Sequence, residues 1–211
     1  MTKVEKIEKA INDGINEKSK LVASNFEVSG LVSLKGRHIY NNLGSLATNF
    51  LEIGSHLGCS FTSSISFNDN IKTATSIDSF ASDWVEDRQC MPIFLENVKK
   101  HLLPKTEFKF IHSDAFNVNL SEIPSNIDYY IYDGSHDEQS QFNALFYYYP
   151  ILADEFIFAV DDFDWDEVSS GTFRAIEKCG FDILYQRILK GNDHCNDSFW
   201  NGYGYFLLKK K

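Results

Sequence analysis

The sequence is short of positive charge. It carries 20 Lys and Arg against 30 Asp and Glu, a formal net charge of −10 at pH 7. Phosphate backbones are held by basic faces, so no nucleic-acid partner is expected. The Lys209-Lys210-Lys211 end is too short to reverse that balance and reads as solvated chain. The four cysteines (Cys59, Cys90, Cys179, Cys195) are widely spaced and form no C-x-x-C pair. A disulfide framework or zinc site is therefore not expected, and a reducing, cytoplasmic setting is. No apolar run is long enough to cross a membrane, and the start, Met1-Thr-Lys-Val-Glu-Lys6, lacks the apolar core of a secretory leader. Repeats, low-complexity tracts and linkers are absent as well.

What is present suits one α/β domain. The 211 residues are 43% hydrophobic, enough for a substantial core and too few for two domains of comparable size. Val4, Ile7, Ile11 and Ile15 recur at helical spacing between charges and predict an amphipathic N-terminal helix, with Gly14 weakening its end. A short helix is expected through Ile39, Tyr40 and Leu43, bracketed by Gly36 and Gly44, with Lys35, Arg37 and His38 ahead of it as a solvated turn. Residues 1–46 are expected to form a helical region capping the sheet edge.

Apolar runs then alternate with helical patterns. Phe50 to Ile53, Lys72 to Ile77, Phe108 to His112, Ile127 to Tyr132 and Phe156 to Val160 read as five strands. Between them, Phe61 to Phe67 and Trp84 to Leu103 read as helices, the second broken near Pro92. Phe142, Leu145, Phe146 and Tyr149 mark the buried stripe of another helix, closed by Pro150. Strands separated by helices make βαβ units and a parallel sheet. Phe181 to Leu189 and Gly202 to Leu208 are two further runs joined by the polar stretch Lys190 to Asn201, which predicts an antiparallel hairpin. The expectation is a mostly parallel seven-stranded sheet with helices on both faces and that hairpin at its C-terminal end.

Chemistry gathers where the strands stop. Asp78, Asp114, Asp133 and the pair Asp161-Asp162 each follow a strand core at once or by one residue. In a parallel sheet those carboxyl ends share one edge, where ligands bind. A single Asp there is commonplace, because Asp caps helices and favours turns. Several in register, with Glu52 beside them, point to a common pocket. The turn Gly54-Ser-His-Leu-Gly58 after the first strand invites a cofactor, since glycine lets backbone N–H groups approach closely. It does not match the G-x-G-x-x-G dinucleotide fingerprint: His56 replaces the second glycine, and Ser60 stands near the third. Glu52 is foreign to that fingerprint too. An acid beside the turn suits an ammonium-bearing nucleoside better than a pyrophosphate. Asp78, 24 residues after Gly54, is placed to accept ribose hydroxyls, and Asp114 to accept from an adenine amino group.

These residues resemble a known family. Leu51-Glu-Ile-Gly-Ser-His-Leu-Gly-Cys-Ser60, Ser76-Ile-Asp78, Asp114-Ala115, Tyr132-Asp-Gly-Ser-His136 and Val160-Asp-Asp162 resemble class I S-adenosylmethionine-dependent methyltransferases with a Rossmann-like fold. Within that class the chain is similar to the metal-dependent O-methyltransferases of natural-product sugars and glycans. The resemblance implies that Glu52, Gly54, Ser55, Gly58 and Ser60 hold the methionine part of the cofactor. It implies Asp78 and Ser79 for the ribose, Asp114 and Ala115 for the adenine, and Asp133 on the same wall. Asp133, Asp161 and Asp162 match positions that bind a divalent metal, expected to be Mg²⁺, and His136 matches a general base.

Elementary chemistry supports these roles. Carboxylates with open positions suit a hard, oxygen-loving ion, which could lower the pKa of a sugar hydroxyl. Asp161 and Asp162 are adjacent, so they can share one ion only if the chain turns between them; otherwise Asp162 or Asp164 caps a helix at Trp165. Ser135-His-Asp-Glu138 reads as a capping box, which puts His136 in a first helical turn whose positive end favours the neutral, basic ring. Trp165, Trp200 and Tyr147-Tyr148-Tyr149 offer a sugar-stacking wall or plain core. The expected activity is methyl transfer to a hydroxyl of a small-molecule or glycan substrate. A nucleoside-binding module without catalysis and a nicotinamide-dependent oxidoreductase are the alternatives. A homodimer stays open, since nothing in the sequence reads on assembly.

Overall fold

The computed structural model describes residues 1–81, 90–192 and 198–211. Its frame is a seven-stranded sheet in the order β3-β2-β1-β4-β5-β7-β6. Strands β1 (Asn49–Ile53), β2 (Thr73–Asp78), β3 (Glu107–His112), β4 (Ile127–Tyr132) and β5 (Leu152–Val160) run parallel. β7 (Tyr203–Lys209) enters antiparallel between β5 and the edge strand β6 (Asp182–Leu189). The expected architecture is observed, hairpin included.

Both faces of the central strands are buried, which is why they read as nearly continuous apolar runs. In β4, Tyr129 and Ile131 enter one core while Tyr130 and Tyr132 enter the other. Helices α1 (Lys3–Ile15), α2 (Leu34–Gly44), α3 (Cys59–Ile65) and α4 (Cys90–His101) cover the first face. Helices α5 (Glu138–Phe146) and α6 (Asp166–Cys179) cover the second. The N-terminal helix forms as its spacing predicts, with Thr2 and Glu5 in a reciprocal capping box and Ile7 and Ile11 fully buried. Residues 1–46 share the first core with Tyr203, Tyr205 and Leu207 of β7, so they lie over the β7 end of that face. Among the described residues, no helix is long and apolar enough to cross a membrane.

Three local expectations need correction. Lys35, Arg37 and His38 are not a solvated turn ahead of a helix; they lie inside α2. Arg37 Nη1 donates to the Val28 carbonyl at 2.8 Å, and the buried His38 meets Ser19 Oγ through Nδ1 at 2.7 Å. α5 ends at Phe146, which is 52% exposed and stacked on Phe142, while Tyr148 turns inward in its place. Pro92 does not break the described helix, which runs through it from Cys90 to His101. The part of that helix expected from Trp84 to Gln89 lies outside the described residues.

Candidate active site

Chain order along the sheet reverses between β1 and β4, and a crevice opens there at the strands' carboxyl ends. A cavity of about 810 Å³ occupies it. Ile53 and Ile77 floor one side, Asp133 and Asp161 the other, and Leu31, Trp165, Trp200 and Asn201 stand at the rim.

The β1–α3 turn forms the first wall. Gly54 takes φ +82°, and a Cβ there would come within 1.8 Å of the Asp133 carbonyl oxygen. Only glycine fits, since both the left-handed backbone and the space exclude a side chain. Gly58 (φ +89°) caps α3, whose buried hydroxyl residues Ser60, Thr62, Ser63 and Ser64 bond within or beneath the helix. Asp78 closes the turn from the next strand. Its Oδ2 accepts from His56 N at 2.8 Å and its Oδ1 from Phe80 N at 2.7 Å. Each oxygen keeps a second lone pair for a diol.

Most of the expected cofactor residues line this cavity: Gly54, Ser55, Ser60, Asp78, Ser79, Asp114, Ala115 and Asp133. Two do not. Glu52 has no exposed surface and lies beneath the turn, where Ser60 Oγ donates to its Oε1 at 3.0 Å. Strand alternation explains this, because Glu52 shares the Phe50 side of β1 and points under α3. Burial pushes its carboxyl up to about 8, against the pull of the Ser55 and Ser60 hydroxyls and with the push of Asp78. Gly58 shapes the turn from behind, against Phe94. Asp114 accepts from Phe116 N at 2.9 Å, and the Tyr148 hydroxyl donates to the Ala115 carbonyl, fixing the loop after β3. Tyr147 similarly reaches the Val118 carbonyl at 2.7 Å. Those two tyrosines are braces behind the pocket and Tyr149 also lies off its wall, whereas Trp165 and Trp200 do line it.

The second wall is acidic. Asp133, at the end of β4, is tied to β1 through its N–H to the Ile53 carbonyl at 2.9 Å. One ligand atom from each of Asp133, His136 and Asp162 lies within 4.8 Å of the other two. His136 Nε2 stands 2.9 Å from Asp162 Oδ2, and its ring meets Trp165 edge to face at 4.7 Å. Asp161 lines the cavity just behind, 8% exposed, and accepts from the Asp162 N–H at 2.9 Å. His136 takes the third place that Asp161 was expected to hold in that cluster. The chain does turn between the two adjacent acids: Asp162 adopts φ +54°. Burial, then the crowding of Asp161, Asp162, Glu52 and Asp78, holds the Asp133 carboxyl well above its ordinary value. Burial and Asp162 do the same for Asp161. Like-charged carboxylates this close raise one another's proton affinity, and groups perturbed in this way cluster at functional sites.

Two helix starts differ from expectation. Asp137, not Ser135, caps α5, accepting from Ser140 N at 2.9 Å. His136 therefore precedes the helix and is held by Asp162, not by the helix end. α6 begins at Asp166 with Trp165 in the cap position and no side-chain cap, so neither Asp162 nor Asp164 caps it. Sequence reasoning missed Cys59, Phe80 and Phe116 on the wall. Burial pushes the Cys59 thiol up to about 12, which leaves it protonated and a poor nucleophile. The alternation of strand and glycine turn could have found Cys59; the loop conformations that deliver the two phenylalanines have no local signal.

A Rossmann-like sheet in the order β3-β2-β1-β4-β5-β7-β6, with β7 antiparallel and a glycine turn at the switch-point crevice, is the methyltransferase fold of α/β proteins. The chain belongs to the methyltransferase-domain family, whose model matches residues 51–163. Solved structures support the fold. The chain is similar to TomG of Streptomyces achromogenes, an O-methyltransferase of tomaymycin synthesis in complex with SAM, at 15% identity and TM-score 0.59, covering 95% of this chain and 90% of that one. It is also similar to TrmK of M. capricolum in complex with S-adenosyl-homocysteine, at 20% identity and TM-score 0.55, covering 82% and 67%. Against TrmN of Thermus thermophilus the identity is 13% and the TM-score 0.60, covering 89% of this chain and only 52% of that one. No curated protein matches the chain in sequence.

Proposed function

We propose that the protein is an S-adenosylmethionine-dependent O-methyltransferase acting on a hydroxyl of a sugar or glycan, with a divalent cation at the acidic wall. One observation carries this reading: Asp133, His136 and Asp162 converge in the same crevice that the Gly54 turn and Asp78 line. A methyl donor seated against the turn would then lie beside proton-accepting and cation-holding groups.

The residues fit both groups. The cavity of about 810 Å³ has room for an amino-acid-bearing nucleoside and part of an acceptor. Asp78 offers lone pairs to a ribose diol, and the bare Gly54 backbone admits close approach. S-adenosylmethionine supplies a methyl group activated by positive sulfur, which needs positioning more than further activation. Asp133 and Asp162 would hold the cation, whose charge makes a nearby hydroxyl more acidic. Two carboxylates are an oxygen donor set that accepts Mn²⁺ as well as the expected Mg²⁺. His136 takes the hydroxyl proton: with its Nε2 proton directed at Asp162, Nδ1 keeps the accepting lone pair, and Asp162 stabilises the resulting imidazolium. Trp165, 41% exposed beside His136, provides a face on which a sugar ring can stack.

The test is labelled-methyl transfer to panels of glycans and small phenols, with Mg²⁺, with Mn²⁺ and with chelator. Transfer to glycans that chelator abolishes is expected. Full activity in chelator removes the cation, and transfer to phenols alone removes the sugar. His136→Ala should lower turnover by about 10²- to 10⁴-fold while S-adenosylhomocysteine affinity holds. An unchanged rate removes His136 as the base.

A further inference from the structure

Asp162 is held in its unusual conformation by a residue from the far end of the chain. It is a non-glycine residue at φ +54°, a backbone state that persists only where its surroundings enforce it. The enforcement comes from the base of the β6–β7 hairpin. Asn201 Nδ2 donates to Asp162 Oδ1 at 2.6 Å, leaving Oδ2 to face His136. The same residue's carbonyl accepts from Asp164 N at 2.8 Å, and the Gly202 carbonyl accepts from Phe163 N at 3.1 Å. Asp164 answers from its side: its Oδ2 accepts from Gly191 N at 2.6 Å, and its Oδ1 pairs with Lys190 at 2.8 Å. The β5–α6 turn is thus latched to the hairpin, and Asn201 carries both a backbone and a side-chain bond of that latch.

We propose that Asn201 is a positioning residue that aims the Asp162 carboxylate at His136 and at a shared cation. The inference rests on the proposed function for the cation, and on geometry alone for the aim. The amide is the right group for the task. It donates without charge, so it fixes Oδ1 and leaves the carboxylate's negative charge for the ligand. A lysine at this position would neutralise that charge, and an aspartate would repel it. Partners that orient metal-binding carboxylates usually matter about ten- to a hundredfold in affinity or activity.

The measurement is Mn²⁺ binding to the full chain, read by loss of the free-ion electron paramagnetic resonance signal. Wild type, Asn201→Ala, Asn201→Asp and Lys190→Ala are compared, with melting temperature and S-adenosylhomocysteine binding alongside. Asn201→Ala keeps the backbone bond to Asp164, so its melting temperature and nucleoside affinity should match wild type while Mn²⁺ affinity falls about tenfold or more. Asn201→Asp should bind Mn²⁺ no better than Asn201→Ala. Lys190→Ala loosens the same hairpin base without touching Asp162 and should bind Mn²⁺ like wild type. Wild-type affinity in Asn201→Ala overturns the proposal, as does an equal loss in Lys190→Ala, which would mean general hairpin distortion. Should wild type itself bind no Mn²⁺, the cation reading fails and Asn201 is judged on turnover. A fall in kcat at unchanged KM for the methyl donor then upholds the aim, and an unchanged kcat overturns it.

Discussion

Glu52 stands off the cavity wall on which its position in the motif would place it. It lies sealed under the glycine turn, bonded to Ser60, with its carboxyl raised to about 8 by burial. An acid that binds its proton more tightly folded than unfolded adds stability that is complete below its unfolded value of 4.5 and is lost as pH climbs towards about 8. Asp133 and Asp161 are shifted in the same direction, so Glu52 accounts for part of the slope. Urea midpoints of wild type and Glu52→Gln at about pH 5 and about pH 8.5 isolate that part. Wild type should lose more stability across the interval than the variant does; parallel losses would show that Glu52 titrates normally. His136 is the other residue whose role depends on its exact neighbours. Its partner is Asp162, 26 positions later, and no local pattern around Ser135 to Glu138 announces it.

At the scale of elements, two glycines in the left-handed region make a useful contrast. Gly54 ends β1 against the Asp133 carbonyl, whereas Gly180 ends α6 with nothing within 4 Å of a built Cβ. Gly180→Ala should therefore cost only the conformational term, about 1 kcal/mol, and leave ligand binding intact. Gly54→Ala adds a backbone collision between β1 and β4 and should cost several-fold more, on the order of 3 kcal/mol or more. Chemical denaturation of both variants checks the ranking; equal costs would mean the β1–β4 junction relaxes freely. Element boundaries followed from sequence where one force dominates. β4 was readable to the residue because apolar side chains fill both its faces. α5 was not: Phe142, Leu145, Phe146 and Tyr149 fit a helical stripe, yet the helix stops early and Tyr148, needed to brace Ala115, turns inward instead.

For the whole molecule, the sheet order and hairpin were legible because alternating strand and helix patterns leave few topologies. The row of acids at the carboxyl edge was legible for the same reason, since topology alone brings strand ends together. Contacts between distant loops were not, and those contacts decide the finer chemistry. Asp162 is bonded by Asn201, 39 positions later in the chain, and Glu52 faces α3 because of strand alternation that its motif context obscures. A global prediction follows from the crevice as a unit. S-adenosylhomocysteine at a hundredfold excess over its Kd should stabilise the fold by about 2.7 kcal/mol, read as a rise in melting temperature, while NAD should not. The reverse response would assign the crevice to a dinucleotide.

The latch between the β5–α6 turn and the hairpin base has a consequence for how such a protein can change. One wall of the crevice is built by the turns after β1, β2 and β3, whereas the far rim borrows Trp200 and Asn201 from near the end of the chain. Grafting a different β6–β7 connection while keeping Asn201 and Gly202 therefore exchanges one lip of the crevice and leaves the other untouched. Evolution or an engineer can retune what enters the mouth without rebuilding what lies on its floor.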